Sequence, residues 1–379
     1  MSHEATSPEG IPLWIEVVTD TYVPDINGVS FSLGRLCNGL RERGHRVEII
    51  RSGKSHGSNE TTVLSWPLPG YWEVKVAAPW PGELRRRWKR NRPDVIYVAI
   101  ETPLGFSAVA AARRLGIPVV GGFHTNFREY LQKYGANWVG NLVWRYQKWF
   151  HDRLNLTLVP SPDARSKLEQ SGFSRVSVLG RGVDTVLFSP ARRSDPLRFS
   201  YGAKGDVPVA LVVGRVSNEK NIGLAIRAFE RMRQSCPEMV CMVVGDGPAR
   251  AKLMRAHPDV IFPGYLTGVD LAACCASCDI MLFPSETETF GNVLLEGMSS
   301  GLAVLGYDYA AAGWHGSYGE NLLKVKKGDE AAFLDAAVEL LDPVLRSKLS
   351  AGARRTAKSL GWPAIVAELE SILREVVKR

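Results

Sequence analysis

One segment decides how this chain folds: Pro284-Ser285-Glu286-Thr287-Glu288-Thr289-Phe290-Gly291-Asn292-Val293-Leu294-Leu295-Glu296-Gly297-Met298-Ser299-Ser300-Gly301. An apolar run, Ile280 to Phe283, comes directly before it and predicts a buried strand. A polar loop follows, and the residues after that loop predict a short helix over 293–300. Glu288 is therefore expected in the loop, and Glu296 about one turn into the helix.

This strand, loop and helix suit an anionic, hydroxylated ligand. The backbone N–H groups near Gly291 and Asn292 open the helix, and a helix start attracts anions. The carboxylates of Glu288 and Glu296 can accept hydrogen bonds from hydroxyls of a sugar and of a ribose. Taken alone, two glutamates with this spacing are more often simply solvated, so the rest of the chain must decide.

Length and composition favour a two-domain globular protein. The chain has 379 residues, of which 45% are hydrophobic and 23% charged. Its formal net charge of +8 indicates an anionic partner, either nucleic acid or a membrane surface. The six cysteines lack zinc-ligand spacing and predict buried small side chains in a reducing cytosol. We expect no signal peptide, because the N-terminus lacks a basic segment followed by an apolar one. We also expect no membrane span, because no apolar run approaches about 18–20 residues.

The first half alternates strands and helices, and two of its loops are candidate ligand contacts. Asn27-Gly28 follows the first predicted strand, where Gly28 would let the backbone approach a phosphate closely. His124 follows a strand predicted over 117–121, a position from which a side chain can reach a ligand. Asn27-Gly28 could instead form a simple turn, and His124 could be a histidine with a purely structural role in its loop.

Two basic segments in this half are candidates for membrane contact. Residues 138–154 predict a helix in which Trp, Tyr and Phe alternate with Arg and Lys. The run from Arg85 to Arg92 holds six cations in eight positions. Such segments can bind anionic lipid. A core helix with a solvated face is the alternative for the first, and a solvated face for the second.

The second half repeats the alternation, which predicts an α/β fold with two Rossmann-like, doubly wound domains that face each other across a ligand-binding cleft. We predict domains at 1–190 and 206–358, a linker at 191–205 and a C-terminal helix at 359–379 that packs back on the first domain.

The sequence lacks the motifs of several classes of nucleotide-binding enzyme. There is no P-loop sequence, Gly245-Asp246-Gly247 does not extend to a dinucleotide fingerprint, and no two aspartates sit two positions apart to clamp a metal. Arg215 and Lys220 lie in one strand-to-helix loop and can bind a diphosphate instead. A helix start carries partial positive charge, so cations there are unfavourable unless an anion binds beside them. We therefore expect an anion at this loop.

Together these motifs resemble those of the family 4 retaining glycosyltransferases of the GT-B fold. The resemblance is carried by Gly214-Arg215 with Lys220, Gly245-Asp246-Gly247-Pro248, Phe262 to Leu266, Pro284-Ser285, Glu288-x7-Glu296-Gly297-Met298, Asp25-Ile26-Asn27-Gly28-Val29, His124-Thr125-Asn126 and Gly182-Val183-Asp184. The chain is similar, within the family, to bacterial mannosyl- and glucosyltransferases of membrane lipids and to sulfolipid-synthase-like enzymes.

The resemblance implies a role for each matching residue. His124, Arg215, Lys220 and Glu288 would be catalytic, with both cations on the diphosphate and Glu288 and His124 on the transferred sugar. Donor binding would involve Gly28, Gly264, Tyr265, Leu266, Phe290, Gly291, Asn292 and Glu296. Among these, Glu296 would bind the ribose and 264–266 the base. The first domain would bind the acceptor and the second the nucleotide sugar. Glu286 receives no role.

The resulting hypothesis is a retaining, metal-independent hexosyltransferase without a cofactor. It would move mannose or glucose from a GDP- or UDP-linked donor to a membrane lipid such as diacylglycerol or a glycolipid. An anionic membrane surface would be its partner, nucleic acid would not, and it would sit on the inner face of the plasma membrane. A soluble sugar, sugar-phosphate or polysaccharide acceptor is one alternative, and a catalytically silent binding module is another.

Overall fold

The structure is a computed structural model and describes residues 10–25, 28–55, 57–68, 71–123 and 137–378. The chain divides into two compact units. Unit 1 is Met1–Gly180 together with Trp362–Arg379, and unit 2 is Arg181–Gly361.

Strands and helices alternate along both units, as the hydrophobic pattern predicts. In chain order the described elements are β1 (Trp14–Thr19), α1 (Gly28–Glu42), β2 (Arg46–Ser52), β3 (Glu60–Val63), β4 (Ser65–Leu68), β5 (Tyr71–Ala77), α2 (Pro81–Arg90), β6 (Val95–Val98), α3 (Pro103–Leu115), β7 (Val119–Gly122), α4 (Asn137–His151), β8 (Leu156–Val159), α5 (Pro162–Gln170), β9 (Val176–Val178), α6 (Asp195–Ser200), β10 (Val209–Val213), α7 (Ile222–Arg233), β11 (Val240–Val244), α8 (Arg250–Ala256), β12 (Ile261–Gly264), α9 (Gly268–Ala276), β13 (Ile280–Phe283), α10 (Asn292–Ser299), β14 (Ala303–Tyr307), α11 (Ala310–His315), β15 (Leu323–Val325), α12 (Glu330–Glu339), α13 (Pro343–Ser359) and α14 (Trp362–Lys378).

Unit 1 contains a parallel sheet in the order β3-β2-β1-β6-β7-β8-β9, and β4 and β5 form a separate antiparallel hairpin. Alternate residues of β1 face opposite sides of the sheet. Ile15 and Val17 join a core cluster with residues of α1 and α14, whereas Val18 joins a second cluster with residues of α2 and α3. Because both faces are covered, the strands read as continuous apolar runs.

Unit 2 contains a parallel sheet in the order β12-β11-β10-β13-β14-β15. Val209 and Leu211 of β10 pack on the side of α9, α10 and α13, and Ala210 and Val212 pack on the side of α7 and α12. The strand and helix predicted on either side of the 284–291 loop are present as β13 and α10. The predicted α/β fold class, with parallel sheets in both halves, is confirmed.

The C-terminal helix α14 belongs to unit 1. Its apolar face, including Leu369 and Leu373, is buried in the same cluster as α1. Glu370 lies on this helix with its side chain 4% exposed, and it forms ion pairs with Arg43 and Arg374. These contacts explain why a helix so far along the sequence is an integral part of the first unit.

Residues 191–205, which the sequence analysis assigned to a linker, lie within unit 2. They include α6, and the buried Arg198 of this helix donates to Asp279 Oδ2 and to the Ser277 carbonyl oxygen, each over 2.9 Å. Two of the residues that suggested a linker have local roles, because Pro196 lies in the first turn of α6 and Gly202 follows the helix with a φ of 87°. The units divide earlier, after Gly180.

A close backbone approach connects the loops after β10 and β11. A Cβ atom placed on Gly245 would lie 1.9 Å from the carbonyl oxygen of Gly214, and Gly245 has a φ of 140°. The Val216 N–H donates to the Asp246 carbonyl oxygen over 2.9 Å beside this contact. The absence of a side chain at Gly245 therefore allows these two loops to pack against each other.

We expect Gly245→Ala to destabilise the protein by at least about 2–3 kcal/mol, because its methyl group has no space and its backbone conformation is unfavourable. Chemical denaturation measures the loss. Gly223→Ala is the matched control: it lies in α7 with nothing within 4 Å of the added carbon, so it should be neutral or stabilising. Equal stability of the two variants would contradict the close approach.

Candidate active site

Two loops at the carboxyl ends of neighbouring strands form the centre of the candidate site in unit 2. The first loop, 214–221, follows β10, and the second, 284–291, follows β13, which pairs in parallel with β10. Ligands of open α/β sheets bind at this edge, beyond the carboxyl ends of the strands. Strand pairing therefore brings together residues that are 68 positions apart in sequence.

An ion pair joins the two loops. Lys220 Nζ contacts Glu288 Oε1, and the side chains retain only 25% and 11% of their exposure. Both residues were predicted to be catalytic, the lysine on a diphosphate and the glutamate on a sugar. In the structure, each is the counter-ion of the other.

Two further hydrogen bonds between the loops flank this ion pair. Asn221 Nδ2 donates to Glu286 Oε1 over 3.5 Å, and the Thr287 hydroxyl donates to the Glu219 carbonyl oxygen over 3.4 Å. Asn221 has a left-handed conformation, with a φ of 49°, between the turn that carries Lys220 and the start of α7. Glu286, which received no role from the sequence, thus lies at the contact between the loops.

Arg215 lies on the first loop, five positions before Lys220. Its side chain is exposed and forms no ion pair with any residue that the structure describes. The next residue, Val216, is completely buried, so the backbone beside Arg215 is anchored. This arrangement leaves an arginine available to an anion that approaches the same loop as Lys220.

The helix α10 begins at the predicted anion site. Gly291 is its N-cap, with a φ of 98°, and a Cβ atom there would lie 3.1 Å from the ring of Phe283. No side chain in the described part of the chain caps the helix, so its first N–H groups remain open to an anion. Asn292, the first helical residue, is partly exposed.

Phe290, predicted at the donor site, has a packing role. Its side chain is 3% exposed and contacts the rings of Trp314 and His315, with centroid distances of 6.3 and 6.0 Å. Its carbonyl oxygen accepts from the Ala311 N–H over 2.9 Å. The aromatic side chain thus fixes the position of the loop and has almost no surface to offer a ligand.

Glu296 lies about one turn into α10, as predicted. Part of the residue remains accessible, yet the surrounding protein removes enough water to raise the pKa of its carboxyl group to about 7. It forms no hydrogen bond or ion pair with a residue in the described ranges. A partly accessible carboxyl group without a protein partner is suited to hydrogen bonding with ligand hydroxyls.

The three residues predicted at the base lie at the end of β12, the edge strand of the sheet. The carbonyl oxygen of Gly264 accepts from the Gly245 N–H over 2.8 Å. Tyr265 is 60% exposed, and Leu266 packs against the core. Gly264 is therefore connected through Gly245 to the loop that carries Arg215.

Of the two predicted contacts in unit 1, only one is described. Gly28 begins α1 and is exposed, and a Cβ atom there would meet nothing within 4 Å. Packing within the described protein thus does not explain why this position is glycine. His124 lies outside the described residues.

Two carboxylates at the carboxyl end of the unit 1 sheet, the buried Asp20 and the half-buried Glu101, were not predicted from the sequence. Asp20 follows β1, and burial raises its pKa to about 6. Glu101 follows β6 and contacts the imidazole of His151 over 3.1 Å. Their positions directly after buried strands were the available signal, but the partner of Glu101 lies fifty residues away.

Comparison with known proteins places this arrangement in a family. The model of Glycosyltransferase Family 4 matches residues 26–187, and that of Glycosyl transferases group 1 matches residues 207–343. A GDP-mannose-dependent alpha-mannosyltransferase of Mycolicibacterium smegmatis is 31% identical over 94% of this chain and 95% of that protein. The chain belongs to glycosyltransferase family 4. The predictions of this family and of a hexosyltransferase are confirmed.

Two further similarities extend the comparison. An alpha-monoglucosyldiacylglycerol synthase of Acholeplasma laidlawii is 24% identical to this glycosyltransferase over 77% of this chain and 79% of that protein. The crystal structure of Anabaena Alr3699/HepE in complex with UDP has a TM-score of 0.77 at 18% identity and covers 96% of this chain and 100% of that one. The second similarity supports the predicted GT-B fold.

The pKa of Glu296 makes the stability of the glycosyltransferase depend on pH. Because the folded-state pKa lies near 7 and the ordinary value is 4.5, the native state binds a proton that the unfolded state has released between these values. Stability is therefore lost as pH rises from about 4.5 to 7. Glu296→Gln should match wild type near pH 4.5 and be more stable by about 2–3 kcal/mol at pH 8.

Thermal unfolding without donor, followed across this pH range, tests this expectation. Glu238→Gln, which removes an exposed carboxylate of the same unit, reports the effect of losing a surface charge. A stability difference between Glu296→Gln and wild type that does not change with pH would show that the Glu296 carboxyl group is solvated.

Proposed function

We propose that this enzyme moves a hexose, mannose or glucose, from a GDP- or UDP-linked donor to a membrane lipid, with retention of the anomeric configuration and without a metal ion. The observation that carries the donor assignment is the Lys220–Glu288 ion pair, formed where the loops after β10 and β13 meet. A diphosphate sugar carries a partner for each residue, a phosphate for the lysine and hydroxyls for the glutamate.

Donor binding then exchanges one set of partners for another. The diphosphate replaces Glu288 as the counter-ion of Lys220, and Arg215 adds a bidentate grip from the same loop. Glu288 is released at the same moment and accepts hydrogen bonds from hydroxyls of the transferred hexose. Both cations then stabilise the charge that develops on the leaving diphosphate, the largest contribution in many enzymes.

The remaining donor contacts follow from α10 and β12. The open N–H groups at Gly291 and Asn292 bind phosphate oxygens, and Glu296 binds the ribose hydroxyls. The end of β12 with the exposed Tyr265 is the proposed contact of the base. Gly28 and His124 keep the roles that the family resemblance implies, on the phosphates and on the sugar.

Retention follows from attack on the same face that the diphosphate leaves. The bond between the anomeric carbon and the phosphate oxygen breaks, the acceptor oxygen bonds to that carbon, and the departing phosphate takes the acceptor proton. This proposal requires no protein nucleophile. The cations of the first loop supply the charge that a metal would otherwise supply to the diphosphate.

The lipid acceptor is supported by an exposed apolar surface on unit 1, here called the aromatic stripe, which consists of three aromatic residues and one leucine: Phe106, Leu142, Tyr146 and Trp149. Their exposed fractions are between 37% and 61%. Phe106 stacks on Trp149 at a centroid distance of 5.6 Å, and Arg153 lies 3.7 Å from the centroid of the Trp149 ring. Exposed aromatic rings with adjacent cations suit the headgroup region of an anionic membrane.

Three residues of α4 place the stripe on one side of that helix. Leu142, Tyr146 and Trp149 are four and three positions apart, and Arg145 is exposed between them. No helix in the described ranges is long and apolar enough to cross a membrane. We therefore propose peripheral binding on the inner face of the plasma membrane.

The second basic segment contributes less to this surface. In α2, Arg87 forms ion pairs with Glu16 and Glu48, and Trp88 is 1% exposed. Arg92 donates to the carbonyl oxygen of Gly116 over 2.8 Å. Part of this basic run therefore stabilises unit 1 itself, which leaves the aromatic stripe as the stronger membrane candidate.

Lys220→Ala should lower kcat/KM for the donor by about 10²–10³-fold, because the leaving diphosphate loses a preorganised charge. The rise in Tm that GDP or UDP produces should also shrink. Lys252→Ala, an exposed lysine of α8, is the control and should behave as wild type in both assays.

A radiolabelled donor assay with EDTA present also tests metal independence. Transfer by Lys220→Ala at the wild-type rate would contradict the proposed role. If wild type binds nucleotide but transfers nothing from any GDP- or UDP-hexose, the chain is a silent binding module.

Leu142→Ser combined with Trp149→Ser should reduce binding to anionic vesicles by about 10–100-fold, because two large apolar contacts are lost. Transfer of the hexose to water should stay unchanged. Vesicle flotation at low salt measures the binding. Val344→Ser, 76% exposed on α13, is the control. Absence of wild-type flotation would favour a soluble acceptor.

A further inference from the structure

A carboxylate outside the proposed donor site is held in a fixed orientation in unit 1. Glu101 follows the end of β6 by three residues and lies two residues before the first residue of α3. Its Oε1 atom lies 3.1 Å from His151 Nε2 and accepts from Gln147 Nε2 over 3.3 Å. The other nitrogen of His151 lies 3.0 Å from the Thr157 hydroxyl, which orients the ring.

The network occupies one side of the carboxylate only. The Oε2 atom of Glu101 has no partner among the residues of the described ranges, and the side chain retains 9% of its exposure, whereas the side chain of His151 retains 1%. A carboxylate placed there only to hold the histidine ring would be most stable with both oxygens bonded. The structure therefore leaves one oxygen of an oriented, partly desolvated carboxylate available to a donor group.

The position of Glu101 indicates which donor group that is. The residue lies at the carboxyl end of a parallel strand, the edge at which ligands bind. Its carbonyl oxygen accepts from the hydroxyl of Tyr146 over 2.7 Å, and Tyr146 belongs to the aromatic stripe. Tyr146 also stacks on Trp149, at a centroid distance of 6.0 Å. The backbone of Glu101 is thus bonded to the surface that is proposed to receive the lipid, and its carboxylate lies next to that surface.

We infer that Glu101 binds the polar headgroup of the acceptor and selects an uncharged headgroup that carries hydroxyls. A carboxylate accepts hydrogen bonds from hydroxyls, and in a partly desolvated position it repels a phosphate. The class of acceptor is therefore a neutral lipid with a polyol or sugar headgroup, and lipids with a terminal phosphate are excluded. This inference rests on the proposed function and adds to it a residue that determines acceptor specificity.

The test compares wild type with Glu101→Gln, which keeps the size of the side chain and an oxygen for His151. Phosphatidylcholine vesicles with a constant content of phosphatidylserine carry either dioleoylglycerol or dioleoylphosphatidic acid. We expect Glu101→Gln to lower kcat/KM for dioleoylglycerol by about 10–100-fold, since a hydrogen bond to a charged group is lost. The preference of wild type for dioleoylglycerol over phosphatidic acid should shrink as well.

Three further measurements separate this role from a structural one. The donor KM, the transfer of hexose to water and the Tm should stay near wild type in Glu101→Gln. Glu101→Asp, which keeps the charge, should retain the discrimination against phosphatidic acid even where its affinity falls. Glu169→Gln removes an exposed carboxylate of the same unit and should change neither acceptor constant.

The outcomes separate the inference from the proposed function. An unchanged acceptor kcat/KM in Glu101→Gln, or an equal fall in transfer to lipid and to water with a lower Tm, would overturn the inference while the proposed function stands. If wild type uses only a soluble polyol or sugar, the same comparison is made with that acceptor, and unchanged kinetics would again overturn the role of Glu101. Wild type that transfers hexose to no acceptor would overturn both.

Discussion

The ion pair between Lys220 and Glu288 is the interaction on which the proposed donor site depends. Both side chains are largely removed from water, so each would be destabilising without its partner. A lone cation or a lone carboxylate at the end of a parallel sheet would retain more water and a less defined position. Because the pair is internal to unit 2, the two loops keep their relative position before any donor binds. A diphosphate sugar can then displace the pair without leaving either charge buried alone.

Backbone contacts provide the rigid part of the same site. Gly245 approaches Gly214 so closely that no side chain fits between the loops, and the Ala249 N–H donates to the Val216 carbonyl oxygen over 3.1 Å. These hydrogen bonds use main-chain atoms, so the side chain of Arg215 remains available to a ligand. The site therefore combines a fixed backbone with charged side chains that can exchange partners, an arrangement that stabilises developing charge at low reorganisation cost.

The sequence allowed the strand, loop and helix around Glu288 and Glu296 to be predicted, because the hydrophobic pattern and the glycine are local signals. The family resemblance assigned Lys220 and Glu288 to one site, but their direct contact was not predicted, since it depends on β13 lying beside β10. The pKa of Glu296 and the buried side chain of Phe290 depend on packing that no local pattern encodes. The stretch 191–205 was assigned to a linker because proline and glycine mark helix ends as well as linkers. The network of Glu101 and His151 depends on the pairing of β6 with β7 and β7 with β8, which no spacing reveals.

The positive charge of the chain is a weaker guide to its partner than the sequence suggested. Several of its cations bind partners within their own unit. Arg198 bonds to Asp279 in unit 2, and Arg87 bonds to Glu16 in unit 1. Arg354 donates to the carbonyl oxygens of Phe188 and Ser299 over 2.9 and 2.6 Å. Such cations stabilise the fold and add little to the attraction of an anionic surface. The argument for a membrane therefore rests on the aromatic stripe, where apolar rings are exposed and Arg153 packs on one of them. Apolar contact is insensitive to salt, whereas attraction by net charge is screened within about 8–10 Å at physiological ionic strength. The stripe also contacts the backbone of Glu101 through Tyr146, and the same helix carries Gln147 and His151, which orient the carboxylate that would select the headgroup.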